Sequence, residues 1–337
     1  MNLGKLGQAF TAREIFDLIH DELEQVEKRI TVESVASVDA VTAIGQYLQQ
    51  SGGKRLRPTL LLISAKLSNA NGNSSNASAV QLGAVVELLH AATLVHDDVI
   101  DAAETRRGRP SSNVKWGNHT CVLAGDWLYM QAFQIALRER NFQILDLLIS
   151  LTQMMVEGEL LQLDRIGKID VTEADCMELV DRKTACLFSV CARLGALAGH
   201  SDTPMQERLG EYAWNLGMAF QLVDDVLDFT AREKTLGKPV GGDLREGKVT
   251  LPLVYALERA TPAERRLVET ILRQRNYEEV RFSQILALLE KHRGIERVKD
   301  RAQAFTDKAR QIINEFPDSP YQRALLAVTE LVTERDH

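Results

Sequence analysis

The stretch SAVQLGAVVELLHAATLVHDDVIDA (78–102) is apolar on most sides and then closes in the cluster Asp97-Asp98-Val99-Ile100-Asp101. A helix that is hydrophobic nearly all round belongs in the middle of a helical bundle rather than on its surface. Working outward, the same 3.6-residue period recurs. Ile15, Leu18, Ile19, Leu23 and Val26 fall three or four apart, on one face of a helix. Similar stripes cover 37–50, 58–68, 118–140, 142–166, 171–199 and 204–231, and shorter ones follow residue 249. The 142–166 segment is also apolar on most sides and is expected at the centre of the bundle. No convincing alternating strand breaks the pattern, so the expected fold is all-α.

The breaks are polar or glycine-rich. Residues 68–78 (SNANGNSSNAS), Arg106–Asn118 and Leu236–Lys248 each read as loops. None resembles an interdomain linker, so the whole chain, 1–337, reads as a single domain. The formal net charge of -7 argues against a nucleic-acid partner, although the basic residues gather in short stretches that suit local anion sites. Cys121, Cys176, Cys186 and Cys191 form no CxxC pair and read as buried thiols. The N-terminus lacks the apolar core of a signal peptide, and no uncharged apolar run reaches membrane-spanning length; the cytoplasm is the expected address, with at most transient membrane contact.

The chemistry lies in an internal echo. Asp97-Asp98-Val99-Ile100-Asp101 and Asp224-Asp225-Val226-Leu227-Asp228 share the pattern DDVxD, and both close long apolar helices. Asp97 and Asp101 are four apart, so they stack one helical turn from each other, as do Asp224 and Asp228. Carboxylates stacked in this way repel unless a cation lies among them. A lone DxxxD reads as a solvated helix end; two copies in apolar context, each followed by a basic or glycine-rich loop, point to a cation site. Hard oxygen donors without a His or Cys set favour Mg²⁺ or Mn²⁺ over zinc, and Mg²⁺ commonly completes its shell with water and phosphate oxygens.

Cations stand beside these clusters. Gly52-Gly53-Lys54-Arg55-Leu56-Arg57-Pro58 precedes a helix, with Pro58 suited to its first turn; glycines, positive side chains and a helix N-terminus together make an anion site. Arg106-Arg107 follows the first aspartate cluster. Lys183-Thr184 lies on another helix, and Lys238 and Lys248 bracket the second glycine-rich loop, with Asp243 between them. Arg55 and Arg109 also read as surface charge, His90 as a core histidine, and His96 as a group orienting Asp97.

Together GGKRLRP (52–58), LVHDDVIDAAETRRGRP (94–110), Lys183-Thr184, FQLVDDVLDF (220–229) and LGKPVGGDLREGKVTLP (236–252) resemble the trans-isoprenyl diphosphate synthases, in their long-chain, octaprenyl-like form. The resemblance implies a helical bundle around an apolar cavity. It implies successive condensation of isopentenyl diphosphate onto an allylic diphosphate, farnesyl or geranylgeranyl, with Mg²⁺ (about three ions per site) stabilising the departing pyrophosphate. By the same resemblance Asp97, Asp101, Asp224 and Asp228 are metal ligands, with Asp98 and Asp225 supporting them. Arg106, Lys183, Thr184, Gln221, Lys238 and, more weakly, Lys248 are allylic diphosphate contacts. Lys54, Arg57, His90 and Arg107 are isopentenyl diphosphate contacts. Thr184 and Gln221 also face the allylic cation. A homodimer is implied as well.

Short-product members of the family usually carry an aromatic residue where this chain has Ala92. Ala92, with Thr93 beside it and Leu89 a turn further down, therefore implies an open channel and a long product, octaprenyl-like within a heptaprenyl to decaprenyl range. Trp127, Met130 and Phe133 are bulky candidates for the channel floor, Phe133 first among them, although aromatic side chains pack cores everywhere. Two other functions remain open. A class I terpene cyclase usually lacks the second DDxxD and the GGKRLRP-type site. A non-catalytic regulatory subunit of a heteromeric synthase usually loses aspartates or cations that this chain retains.

Overall fold

The amphipathic period becomes helix along nearly the whole chain. The computed structural model describes residues 11–50, 52–53, 55–69, 76–230 and 240–333. Helices α1 (Ala12–Asp17), α2 (His20–Glu33), α3 (Asp39–Gln50), α4 (Leu56–Ser68) and α5 (Ala77–Ile100) come first. A two-stranded hairpin, β1 (Thr105–Arg106) and β2 (Arg109–Pro110), then leads into α6 (Ser112–Trp116), α7 (Asn118–Leu137) and α8 (Phe142–Arg165). Next are α9 (Glu173–Val180), a π-helical segment (Asp181–Ala185), α10 (Cys186–Ala198) and α11 (Thr203–Thr230). Six shorter or peripheral helices, from Gly242–Arg245 to Pro320–Thr333, complete the all-α fold.

The chain divides into two compact units. One holds the described residues up to Ser150 with Phe188–Ala213 and Ala309–Leu331; the other holds Leu151–Leu187, the described part of Trp214–Lys308 and the end of the chain. In the first unit, Leu82, Val85, Leu89 and Ala92 of α5 are buried with Leu60–Ile63 of α4 and Leu128 and Ile135 of α7. Each large aliphatic side chain removed from water in this way contributes about 1.5–3 kcal/mol. Small residues set the spacing. A methyl group on Gly195 would stand 2.2 Å from the Leu61 carbonyl oxygen, and one on Gly199 would stand 2.6 Å from that of Ala65, so α10 lies directly on the α4 backbone. The same logic joins α5 to α7. His96 seats its ring against Gly125, where a methyl would come within 2.2 Å of Nε2, and Nε2–H donates to the Val122 carbonyl at 3.0 Å. His96 thus braces the helix pair through Nε2.

In the second unit, Val223, Val226 and Phe229 of α11 pack with Leu251, Val254, Ile271, Ile285 and Leu289. Capping boxes start α1 at Thr11 with Glu14 and α9 at Thr172 with Asp175, each side chain satisfying the other's exposed N–H.

Three expectations are corrected. Residues 106–118 are more than a loop, since they hold β2 and α6. The 171–199 stripe is interrupted by the π segment. Helix α8 is not enclosed: Phe142 is 81% exposed, and Ile149, Val156, Leu160 and Leu163 are exposed too. Among the described helices α5 alone is long and apolar enough to cross a membrane, and 67% of that stretch is buried within the protein. All four cysteines are buried free thiols.

Candidate active site

In the first unit the last turn of α5 presents Asp97 and Asp101 in sequence, with the Asp101 N–H donating to the Asp97 carbonyl at 2.8 Å. This is the negative end of the helix dipole, where carboxylates are disfavoured and a cation is favoured. Nearby, burial and then the charges of Asp97 and Asp126 push the Tyr129 hydroxyl up to about 12. Asp98 is different. It is fully buried, accepting from Arg106 Nε at 2.6 Å, Ser112 N at 3.0 Å and Ser112 Oγ at 2.6 Å. Those bonds commit Asp98 to holding the chain that follows.

That chain turns back through Ala102 at φ 48° and forms the hairpin, whose two central residues, Arg107 (φ 52°) and Gly108 (φ 72°), both take positive φ. Two-residue hairpins of the primed type require this. Arg107 is thereby placed at a hairpin tip, with its guanidinium over Gly53: a methyl there would lie 3.2 Å from Nη1. Burial, then Arg57, Arg107, Arg106 and Arg55, hold the His90 pKa well below its ordinary 6.5. Arg107 is likewise lowered by burial, then by Arg106 and Arg55, while Glu87 opposes the shift. Four guanidiniums therefore lie close enough to His90 to disfavour its charge, and those of Arg107 and Arg55 lie over the backbone of Gly53. Arg57, His90, Arg106 and Arg107 are brought together; Lys54 lies outside the described residues. Arg55 is not surface charge, since it pairs with Glu27 and Glu87. Arg109 stacks 4.6 Å from the Tyr47 ring centroid.

In the second unit Asp224 is exposed, while Asp225 and Asp228 are buried. The π segment and α11 form a directional relay: Thr184 Oγ1–H donates to Gln221 Oε1 at 2.8 Å, and Gln221 Nε2–H donates to Asp225 Oδ1 at 2.9 Å. The relay unites three of the named residues and fixes the Gln221 amide. Lys183 reaches Glu159 at 2.5 Å and Gln162 at 3.0 Å. Gly158 admits the widened π turn, since a methyl there would meet Arg182 Cβ at 2.8 Å. Such single π turns frequently occur at functional positions.

Burial, followed by the charge of Asp243, raises the Asp225 pKa well above 3.8; Asp224 and Asp228 add to the rise and the Gln221 bond opposes it. Asp243 therefore belongs to this acidic group, and its N–H donates to Asp228 Oδ2 at 3.2 Å. The linear sequence gave one cue to it, a carboxylate inside the glycine-rich loop. Gly241 (φ 66°) donates its N–H to the Asp228 carbonyl at 2.7 Å and is held by the Tyr277 hydroxyl, which donates to the Gly241 carbonyl at 2.7 Å. Lys248 turns toward Glu246 at 2.7 Å; Lys238 lies outside the described residues.

Among the described residues no three His, Cys, Asp or Glu groups converge as a ready-made metal cage. The donors that are present suit an ion held by one or two carboxylates and completed by water and phosphate, which is the habit of Mg²⁺. In the first unit a surface groove of about 500 Å³ is lined by Trp127, Met130, Gln131, Phe133, Gln134, Leu137 and Leu145. It gathers the three bulky candidates for the channel floor. Leu89 and Ala92 are buried and lie outside its lining.

The polyprenyl synthetase family profile matches residues 38–289. The chain is 35% identical over 338 aligned residues to the octaprenyl diphosphate synthase of Escherichia coli (strain K12), covering 100% of both. It is 32% identical to the short chain isoprenyl diphosphate synthase of Methanothermobacter thermautotrophicus, covering 96% of this chain and 99% of that one. A crystal structure of polyprenyl synthase from Caulobacter crescentus CB15, complexed with calcium and isoprenyl diphosphate, superposes with a TM-score of 0.91 at 33% identity, covering 98% of this chain and 100% of that one.

Proposed function

Because the chain belongs to the polyprenyl synthetase family and is a prenyltransferase, we propose that it adds isopentenyl diphosphate units head to tail to an allylic diphosphate, farnesyl or geranylgeranyl. Its product in this reading is a long all-trans chain of octaprenyl-like length. The observation that carries the reading is the arrangement at the end of α5: Asp97 and Asp101 at the helix terminus, followed by a hairpin that returns Arg106 and Arg107 to the pocket of Arg57 and His90. Residues 1–337 act as one synthase domain, a view supported by a family match that runs through both units.

Hard carboxylate oxygens at Asp97, Asp101, Asp224 and Asp228 suit Mg²⁺, which when bound supplies electrostatic stabilisation of leaving pyrophosphate. Arg57, His90 and Arg107, with Lys54, hold the isopentenyl diphosphate head. A neutral His90 donates one ring N–H without adding a further cation to the pocket. Arg106, braced by Asp98, is assigned to the allylic diphosphate, and Lys183 and Lys238 are assigned to the same substrate. As the allylic carbon–oxygen bond breaks, its electron pair leaves with pyrophosphate. The double bond of isopentenyl diphosphate supplies the pair for the new carbon–carbon bond, and a proton is lost. Thr184 and Gln221 present oxygens toward the developing cation, and the relay to Asp225 fixes their orientation.

Relatives of similar identity carry names denoting different product lengths, so the length reading rests on Ala92. A cytoplasmic homodimer completes it. The test is the purified chain with Mg²⁺, farnesyl diphosphate and labelled isopentenyl diphosphate, with products sized by mass. Long labelled chains are expected, and Ala92→Tyr is expected to shorten them. Cyclised hydrocarbon without label would assign a terpene cyclase, and inactivity of the chain alone would assign a subunit of a heteromeric enzyme. Unchanged product length in both Ala92→Tyr and Phe133→Ala would remove these residues from the channel.

A further inference from the structure

Arg55 stands at the N-cap of α4 in the left-handed region, at φ 46°, and its side chain makes no capping bond. Instead it reaches two other helices. Nε and Nη2 donate to both carboxylate oxygens of Glu27 on α2, the latter at 3.1 Å, and Nη1 donates to Glu87 on α5 at 3.0 Å. Gln49 of α3 secures Glu27 in turn, donating Nε2–H to its carboxylate at 2.9 Å and to its carbonyl at 3.0 Å. The Arg55 side chain is 22% exposed and that of Glu87 8%, so the pair is largely shielded from water. A guanidinium engaged by two carboxylates has most of its donors committed.

We propose that Arg55 is a positioning residue for the isopentenyl diphosphate pocket, acting through Glu27 and Glu87 and without touching substrate; this rests on the function proposed above. The consequence concerns the peptide on which Arg107 lies. Gly53 is two residues before Arg55 and Arg57 two after it, and a methyl on Gly53 would sit 3.7 Å from Arg55 Nη1 and 3.2 Å from Arg107 Nη1. Fixing Arg55 fixes this stretch of backbone, and with it the place of Arg57 and Arg107 relative to His90. Glu27 lies before residue 38, outside the family match, so a helix beyond the matched segment is wired to the turn that carries Gly53 and Arg57.

The experiment is a double-mutant cycle on the full chain with Glu27→Gln, Arg55→Ala, Arg55→Lys and the Glu27→Gln/Arg55→Ala pair, read as separate KM values for the two substrates. Arg55→Ala is expected to raise the isopentenyl diphosphate KM by about tenfold, with the allylic KM within about twofold. Glu27→Gln should reproduce much of that rise. The double variant should be no worse than Arg55→Ala, because both act through one contact. Arg55→Lys should not rescue, since it keeps the charge and loses the fork. A direct role for Arg55 would instead show as a normal KM in Glu27→Gln or as additive losses, and either result overturns the proposal. So does an equal rise in both KM values. Should Arg55→Ala fail to fold, Glu27→Gln decides alone. Calorimetric titration with inorganic pyrophosphate in chelator, wild type against Glu27→Gln, reads the cation pocket without turnover and is expected to show about tenfold weaker binding in the variant. A wild type that incorporates no isopentenyl diphosphate would remove the proposed function and leave that titration to judge Arg55.

Discussion

Asp97 and Asp98 are adjacent on α5, and their surroundings give them opposite tasks. Asp98 is sealed in and takes three hydrogen bonds, one from a guanidinium. Its replacement by Asn keeps the shape but leaves Arg106 without a countercharge, and a lost bond to a charged partner costs about 1.5–3 kcal/mol. Urea denaturation of Asp98→Asn is expected to show a loss of that size even without substrate. Asp97→Asn should cost less than Asp98→Asn, because Asp97 is only half-buried and lies at the negative end of a helix, yet it should lose Mg²⁺-dependent turnover. Equal destabilisation of the two variants would contradict this division. His90 gives a pH test. Its folded pKa is held below 6.5 by burial and the four arginines. Above 6.5 the ring is neutral in both states and adds nothing. As the pH falls below 6.5 the unfolded chain takes up a proton that the folded chain refuses, so stability is lost across the window from 6.5 down to the depressed folded value. His90→Gln is expected to flatten that part of the stability profile, and an unchanged slope would show that the ring does not titrate there.

At the scale of elements, the π segment shows what a period can and cannot reveal. The stripe over 171–199 correctly announces helix, because apolar residues keep recurring on one side. A single widened turn leaves that recurrence almost intact, and its cue lies far away in Gly158, the residue that makes room for Arg182. The hairpin at 105–110 was hidden for another reason: two-residue strands are too short to alternate, and its tip is Arg-Gly rather than Asn-Gly. The aspartate pairs, by contrast, were legible, since a spacing of four on a helix fixes a face. Their differing burial was not, because it depends on where Ser112, Arg106 and Asp243 arrive from elsewhere in the chain. Deleting Arg182 would shorten 181–185 toward a regular α turn. The variant is expected to keep its helical circular dichroism while losing the Thr184–Gln221 bond, and turnover should fall by about a hundredfold, the usual cost of a misplacement of about an ångström. Full activity would show that the widened turn has no part in placing Thr184.

At the scale of the molecule, the exposed apolar residues are too regular to be incidental. Leu123, Met130 and Leu137 of α7 are spaced by seven, as are Phe142, Ile149, Val156 and Leu163 of α8, with Leu160 beside the last two. A seven-residue repeat of exposed hydrophobics on a helix is the pattern that packs against a second helix, and exposed apolar surface beyond the ordinary marks association. The expectation that α8 would be enclosed was right about its hydrophobicity and is not met within one chain; under the homodimer proposed above, a second copy would bury what one copy leaves open. Self-association through this face would place Met130 and Leu137, and with them the mouth of the groove that Phe133 lines, at the interface. Sedimentation at about 10 μM is expected to give twice the chain mass for wild type and the single chain mass for Ile149→Glu, because a carboxylate buried without a partner in such an interface costs several kcal/mol. The charge lies on a surface that is already exposed in one chain, so the monomeric variant should keep its helical signal. A wild type that sediments as a monomer, or an Ile149→Glu variant that remains dimeric, would assign the stripe to some other partner.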